Sequence, residues 1–266
     1  MENKEITENN TGMTGALNPF NLKKVPHSDI NHLNINDKDL QILDPFSGSV
    51  TNQREFGTAS IMAKALRNSL SSRMIEICES YVSGRLTAQF RNLATKESGK
   101  NGMRPLYPSK YGHLLAGFEF NTTAPYDEIF GARYFVKRGS GRGQVILHFP
   151  SFIPIKTFKK PSVATNFKIN ARLVAISDYH YDCDHKKYIP LDKKNHGKYG
   201  FYDSGMLPLL KIPIEPMTTR ISIEGAPHIT KNVGLFLVMA ISFFEYRDHR
   251  FIHLPKESAM QIKRVY

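Results

Sequence analysis

The longest apolar run in the chain lies at residues 233–244, VGLFLVMAISFF. Val233, Leu235, Leu237, Met239, Ile241 and Phe243 fall on one side of an extended chain, and Phe236, Val238, Ala240 and Phe244 on the other. A strand apolar on both faces is an interior strand covered from two sides. The run is too short for a bilayer, which needs about 20 apolar residues as a helix. Glu245 to Arg250 then reads as a charged hairpin connection and residues 251–254 as the returning strand. Earlier in the chain the period changes. Met62, Leu66, Leu70, Met74, Ile77 and Tyr81 recur every three or four positions, which predicts one apolar stripe on a helix within residues 54–96. Thr58 or Ser60 is the expected cap. Gly84 is the expected interruption, with Ser83 capping a second helix that carries Leu86, Phe90 and Leu93. The segment is therefore two helices or one long kinked helix, either a subdomain or a brace laid across a sheet.

From about residue 130 the pattern is that of strands. Residues 130–136 and 144–149 flank the Gly-rich basic connection KRGSGRG at 137–143, as in a hairpin. Residues 166–177, NFKINARLVAIS, alternate at first and then become apolar throughout. Further short strands are expected at 113–120, 207–214, 218–223 and 259–265. Residues 178–203 read as a polar excursion rich in Tyr and His. Short strands with turn signals and no helical pattern between them argue an antiparallel sandwich. The fold class expected is thus mainly β (α+β), a β-sandwich preceded by a helical hairpin or kinked helix. The boundaries expected are a flexible or extended arm at 1–44, a basic helical segment with its connecting loop at 45–125, and the sandwich at 126–266.

Composition narrows this picture only a little. The chain has 266 residues, no Trp, and a net charge of +12. Ten basic residues against four acidic ones lie between residues 54 and 110, so about half the excess is concentrated there. Such a segment is either a solvated helix face or a surface that tracks phosphates. The residues that would make those contacts are Arg67, Arg73, Arg85 and Arg91, joined by Lys137, Arg138 and Arg142 of the Gly-rich connection. That connection lacks the third glycine of a dinucleotide fingerprint and the Lys-Ser/Thr ending of a phosphate-binding loop. Two cysteines, Cys78 and Cys183, do not make a disulfide framework. The first residues carry neither the basic nor the apolar part of a signal peptide, and the expected compartment is the cytoplasm.

His180, Asp182, Cys183 and His185 are the only dense group of metal-capable side chains, with His196 the nearest addition. On one extended strand His180 and Asp182 face away from Cys183 and His185, and Lys186 and Lys187 would oppose a cation. Asp127, Glu128, Asp178 and Asp203 offer carboxylates, but nothing in their spacing brings two together. In the arm, Phe20 and Phe46 sit in Asn-Pro-Phe and Asp-Pro-Phe turns and are the expected anchors on a partner or on the domain.

The stretch DPFSGS at 44–49, the Arg-bearing helical segment 56–93, Arg104-Pro105 with GFEFN at 117–121, and AISFF at 240–244 resemble parts of uncharacterised conserved proteins found widely in Bacteroidota. The resemblance covers about residues 44–266. It implies a helical hairpin leading into an immunoglobulin-like sandwich, and it implies no activity and no site residue. The functional expectation is a non-enzymatic structural or macromolecule-binding protein that uses the arm and the basic helical face. Its partner is a protein or a second copy of the chain, with no cofactor, no membrane span and no small-molecule substrate. The alternatives are nucleic-acid binding through the basic helices and a metal-dependent enzyme centred on His180 to His185.

Overall fold

The computed structural model describes residues 47–225 and 228–266. It places the long apolar run in strand β9 (Val233–Arg247), where every residue from 233 to 244 is buried. Strand β3 (Asn166–Ser177) pairs with it antiparallel along its whole length, from Asn166 opposite Phe244 to Ser177 opposite Val233. On its other edge β9 pairs with β10 (Arg250–His253) and β11 (Ala259–Val265). β9 is therefore interior both in the plane of its sheet and through its thickness. Each fully buried Leu, Ile, Val or Phe along it contributes about 1.5–3 kcal/mol. The charged connection to β10 is a two-residue turn with Asp248 and His249 both at positive φ, +51° and +60°. Two central residues at positive φ match the right-handed twist of the flanking strands.

Around β9 and β3 the six-stranded sheet is completed by β6 (Tyr199–Asp203) and the short β7 (Leu207–Pro208), both on β3. A second, three-stranded sheet runs β1 (Phe135–Arg138), β2 (Gln144–Phe149), β8 (Met217–Ser222). Pairing is antiparallel throughout, and β4 (Tyr179–Asp182) and β5 (Lys187–Pro190) form a separate hairpin. One face of the large sheet packs on the small one: Phe167, Ile169, Leu173, Leu235, Leu237 and Ile241 share a core with Val145, Leu147, Phe149 and Ile221. The opposite face, carrying Val174, Ile176, Phe236, Val238, Met260 and Ile262, is covered by the helices. These are α1 (Ser47–Asn68), α2 (Ser72–Ile77) and α3 (Val82–Ala94), which bury Met62, Leu66, Met74, Leu86 and Phe90 there. The chain is thus mainly β with antiparallel sheets, and the helical segment braces the large sheet. Helices and sheets belong to one compact unit, Pro45–Tyr266.

Several local expectations are corrected. Tyr81 leaves the apolar stripe and is 81% exposed, because the helix has already ended at Ile77 and restarts at Val82. The first break is at residues 69–71, where Ser69 and Leu70 close onto the carbonyls of Leu66 and Arg67 and the Ser71 hydroxyl accepts from the Met74 N–H. Gly84 lies in the first turn of α3 and breaks nothing. Neither Thr58 nor Ser60 starts a helix, since α1 begins at Ser47; Thr58 donates back to the Arg54 carbonyl. Residues 113–120 contain a 3-10 turn, and Glu119 makes only a bridge to Gln261 of β11. The strand expected at 130–136 starts at Phe135, and of the strand expected at 207–214 only Leu207–Pro208 forms. The excursion at 178–203 contains β4, β5 and β6.

Candidate functional site

Four of the ten basic residues between 54 and 110 are paired within the molecule. All four acids of that segment are paired: Glu76 with Arg73, Glu79 with Arg85, Glu55 with Arg104 and Glu97 with Lys110. Arg85 is the most committed of the expected contacts. It pairs with Glu79, donates to the Glu119 carbonyl at 2.5 Å, and lies 4.8 Å over the Phe118 ring. Arg73 holds Glu76 in an exposed pair one helical turn long. Glu76 in turn accepts from His253 at 2.6 Å. Arg67 is half-buried, with an enclosed Nε that has no hydrogen-bond partner. Arg91 on α3 is half-buried and also engaged. No interaction partner is common to these four side chains in the contacts above.

The expected metal cluster forms the tip of the β4–β5 hairpin. Asp182 caps the turn, accepting from the N–H groups of Asp184 and His185 and from His185 Nδ1 at 2.7 Å. The His185 hydrogen bond holds the Asp182 carboxyl below its ordinary range. Cys183 is exposed, and His180 is half-buried with an unpartnered Nδ1. His196 instead accepts from the Ser177 N–H and packs edge-on against Tyr179. Among the described residues no group of three or more His, Cys, Asp or Glu side chains is placed to hold a metal ion. The carboxylates are likewise dispersed. Asp127 is bonded by Lys263, Asp178 by the N–H and hydroxyl of Ser109, and Asp203 by Lys168, while Glu128 pairs with Lys159. Phe20 and Phe46 lie outside the described residues.

A different surface is assembled by β6. Register places Arg172 of β3 opposite Phe201 and Val174 opposite Tyr199, all on the helix side of the sheet. The helices cover Val174. The Arg172 guanidinium lies 4.7 Å from the Phe201 ring centre and 5.4 Å from that of Tyr199, and its Nε is buried without a partner. Burial lowers the Arg172 pKa, against the weaker pull of Tyr199 and Asp203. The rings themselves are open: Phe201 is 64% exposed and Tyr199 44%. Beside them, Ala65 and Asn68 of α1, with His196, Lys198 and Glu224, line a cleft of about 620 Å³. Tyr199 and Phe201 fall in the stretch 178–203 that the sequence presents as a polar excursion. The signal was present as two aromatic residues at i and i+2 around Gly200, but only the pairing with β3 brings Arg172 to them.

At the β1–β2 connection, Arg138 and Arg142 meet in a smaller cleft that also includes Tyr266, while Lys137 points elsewhere, towards the outer face with Phe135 and His148. Comparison of the chain with protein-family models, with curated proteins and with solved structures finds no match.

Proposed function

We propose that the protein is a non-enzymatic binding module whose partner is another protein, engaged by the N-terminal arm together with the side of the molecule where α1 meets β6. The observation that carries this reading is the cation held between two exposed rings, Arg172 with Tyr199 and Phe201. Tyr and Arg are enriched in binding hot spots, and Tyr brings large contact area and polar reach with few torsions to freeze. An anchored arginine between rings is already ordered, so docking on it costs little further entropy. The immunoglobulin-like character of the paired sheets, and kinship with the Bacteroidota proteins, belong to the same proposal.

The test is affinity capture from native lysate with full-length protein, a chain lacking residues 1–44, and Phe201→Ala with Tyr199→Ala. The rings are exposed, so the double variant is expected to fold. Capture of one protein that is lost in the double variant and weakened without the arm supports the reading. Capture that survives both changes sinks it. A nucleic-acid partner is the second reading, favoured by the same rings, since bases stack on exposed aromatics and on arginine. It predicts that nuclease treatment abolishes capture.

A further inference from the structure

The connection between β1 and β2 closes a cleft of about 300 Å³ whose lining includes Arg138, Ser140, Arg142, Gln144 and Tyr266 and contains no acidic side chain. Its two cations have no carboxylate partner: among the described residues neither Arg138 nor Arg142 forms an ion pair. Arg142 is fixed by neutral acceptors, donating to the carbonyl of Thr230 and, at 2.7 Å, to that of Val233. An arginine carries five N–H donors, so donors remain free on its guanidinium. Arg138 lies 5.2 Å over the Tyr266 ring. The Tyr266 hydroxyl is buried and has no hydrogen-bond partner, while the Tyr266 backbone is held on β9 by reciprocal bonds with Leu235. Burial, and then the charge of Arg138, lower the Arg142 pKa; the Asp178 carboxylate pulls the other way, but both its oxygens already accept from Ser109.

The turn itself is built to hold this shape. The Gln144 side-chain oxygen accepts from the Ser140 hydroxyl at 3.1 Å and from the Gly141 N–H at 3.4 Å. A Cβ on Gly139 would stand 2.6 Å from the Gln144 Cβ, so a side chain there would push the turn open.

We propose that this cleft is a binding site for a phosphoryl oxoanion, free or as a monoester, held by Arg138 and Arg142. The site goes beyond the partner surface at β6 and stands independently of it. Guanidinium groups match the oxygens of phosphate in pairs of parallel hydrogen bonds. A phosphate monoester carries about −1.5 to −2 charges near neutral pH, which two unpaired arginines balance, whereas a carboxylate would leave one of them uncompensated. The volume lies at the lower end of the roughly 300–1,000 Å³ typical of ligand pockets, which suits a phosphoryl group and little more.

The experiment titrates full-length protein with inorganic phosphate and with methyl phosphate, against potassium chloride at matched ionic strength, by calorimetry and thermal melting. Saturable binding of inorganic phosphate with no chloride response supports the site. Equal affinity for methyl phosphate identifies a group carried on a larger molecule, and binding of inorganic phosphate alone identifies the free ion. Arg138→Ala is expected to weaken binding about tenfold or more, the usual loss for one charge-assisted hydrogen bond, and Tyr266→Phe, whose buried hydroxyl faces no solvent, to leave it unchanged. Tyr266→Phe deletes only an unpaired hydroxyl, so it melts no lower than the native chain without phosphate. Arg142→Lys keeps the charge but loses the fork, and its loss of affinity is read alongside its own melting point. Phosphate acting no differently from chloride, or binding Arg138→Ala as tightly as the native chain, overturns the proposal.

Discussion

Removing the Glu55 carboxylate is expected to be one of the most destabilising single polar changes in the molecule. Glu55 sits on α1 with a fully buried side chain. It accepts from the Gly102 N–H at 2.7 Å, from Arg104 Nε at 3.0 Å and from Arg104 Nη2 at 2.8 Å. Burial alone would raise its pKa, but the hydrogen bonds from Arg104 and Gly102 outweigh that and hold it below its ordinary 4.5. Glu55→Ala leaves a largely buried guanidinium and a buried N–H without their acceptor. Breaking a buried pair on one side costs about 3–5 kcal/mol. For a domain of this size that corresponds to roughly 6–20 °C in Tm. The control is Glu128→Ala, which removes an exposed pair with Lys159 and is expected to cost under about 1 kcal/mol. A carboxylate with a lowered folded pKa contributes stability that is fully present above its unfolded value and is lost as pH falls through the folded one. The gap between native and Glu55→Ala melting points should therefore be constant from pH 5 to 8 and narrow below about 4.5. Chemical and thermal denaturation across that range measure it. Equal losses for the two variants, or a gap that widens on acidification, would refute the reasoning.

Four further outcomes are expected. Gly200→Ala would place a Cβ 2.4 Å from the Ser222 carbonyl oxygen, where β6 meets β8, and should cost about 1–3 kcal/mol by overpacking. Gly57→Ala, with open space on α1, should stabilise by about 0.5–1 kcal/mol; denaturant midpoints decide between the two signs. Native-state alkylation should label Cys183, which is exposed, and spare Cys78, whose thiol burial pushes up to about 11; two labels on the folded chain by mass spectrometry would contradict this. His249→Gly at φ +60° should raise the stability by a few tenths to about 1 kcal/mol, read as a higher denaturant midpoint, because glycine adopts positive φ without steric cost.

What could be read from the sequence was whatever depends on neighbours close in the chain. β9 was legible because both its faces are apolar over twelve residues, and that alone required a cover on each side. The stripe on α1 and α2 was legible for the same reason, up to Tyr81. The breaks were misplaced because glycine is the stronger generic breaker, whereas the chain turns at a serine cap and tolerates Gly84 in a first turn whose N–H groups need no helical partner. β6 was hidden because its aromatics face outward and its place is fixed from afar, by β3 and by the close approach of Gly200 to β8. The fate of the arginines was hidden for a related reason. Arg104 meets Glu55 across 49 positions and Arg142 meets its carbonyls across 88 and 91, distances at which a charge count carries no information.

That difference between charge counted and charge available decides how a nucleic acid would bind. Were the arginines at 67, 73, 85 and 91 all to leave their present contacts and each neutralise one phosphate, the slope of log affinity against log salt would be about −3.5 on duplex DNA. Arg85 is excluded, since reaching a phosphate would cost it Glu79, the Glu119 carbonyl and the Phe118 ring together. Arg67 presents only part of its fork, its Nε being enclosed. Arg73 is the easiest to recruit: its exposed pair with Glu76 is worth under about 1 kcal/mol and opens readily. The expected slope is therefore about −2 or shallower, measured by fluorescence anisotropy on a short duplex between 50 and 200 mM salt. A slope of −3.5 or steeper would mean that the internal pairs give way to phosphate. The basic helical face would then be a nucleic-acid surface after all, and the cation between the rings of Tyr199 and Phe201 would lose its claim as the principal contact.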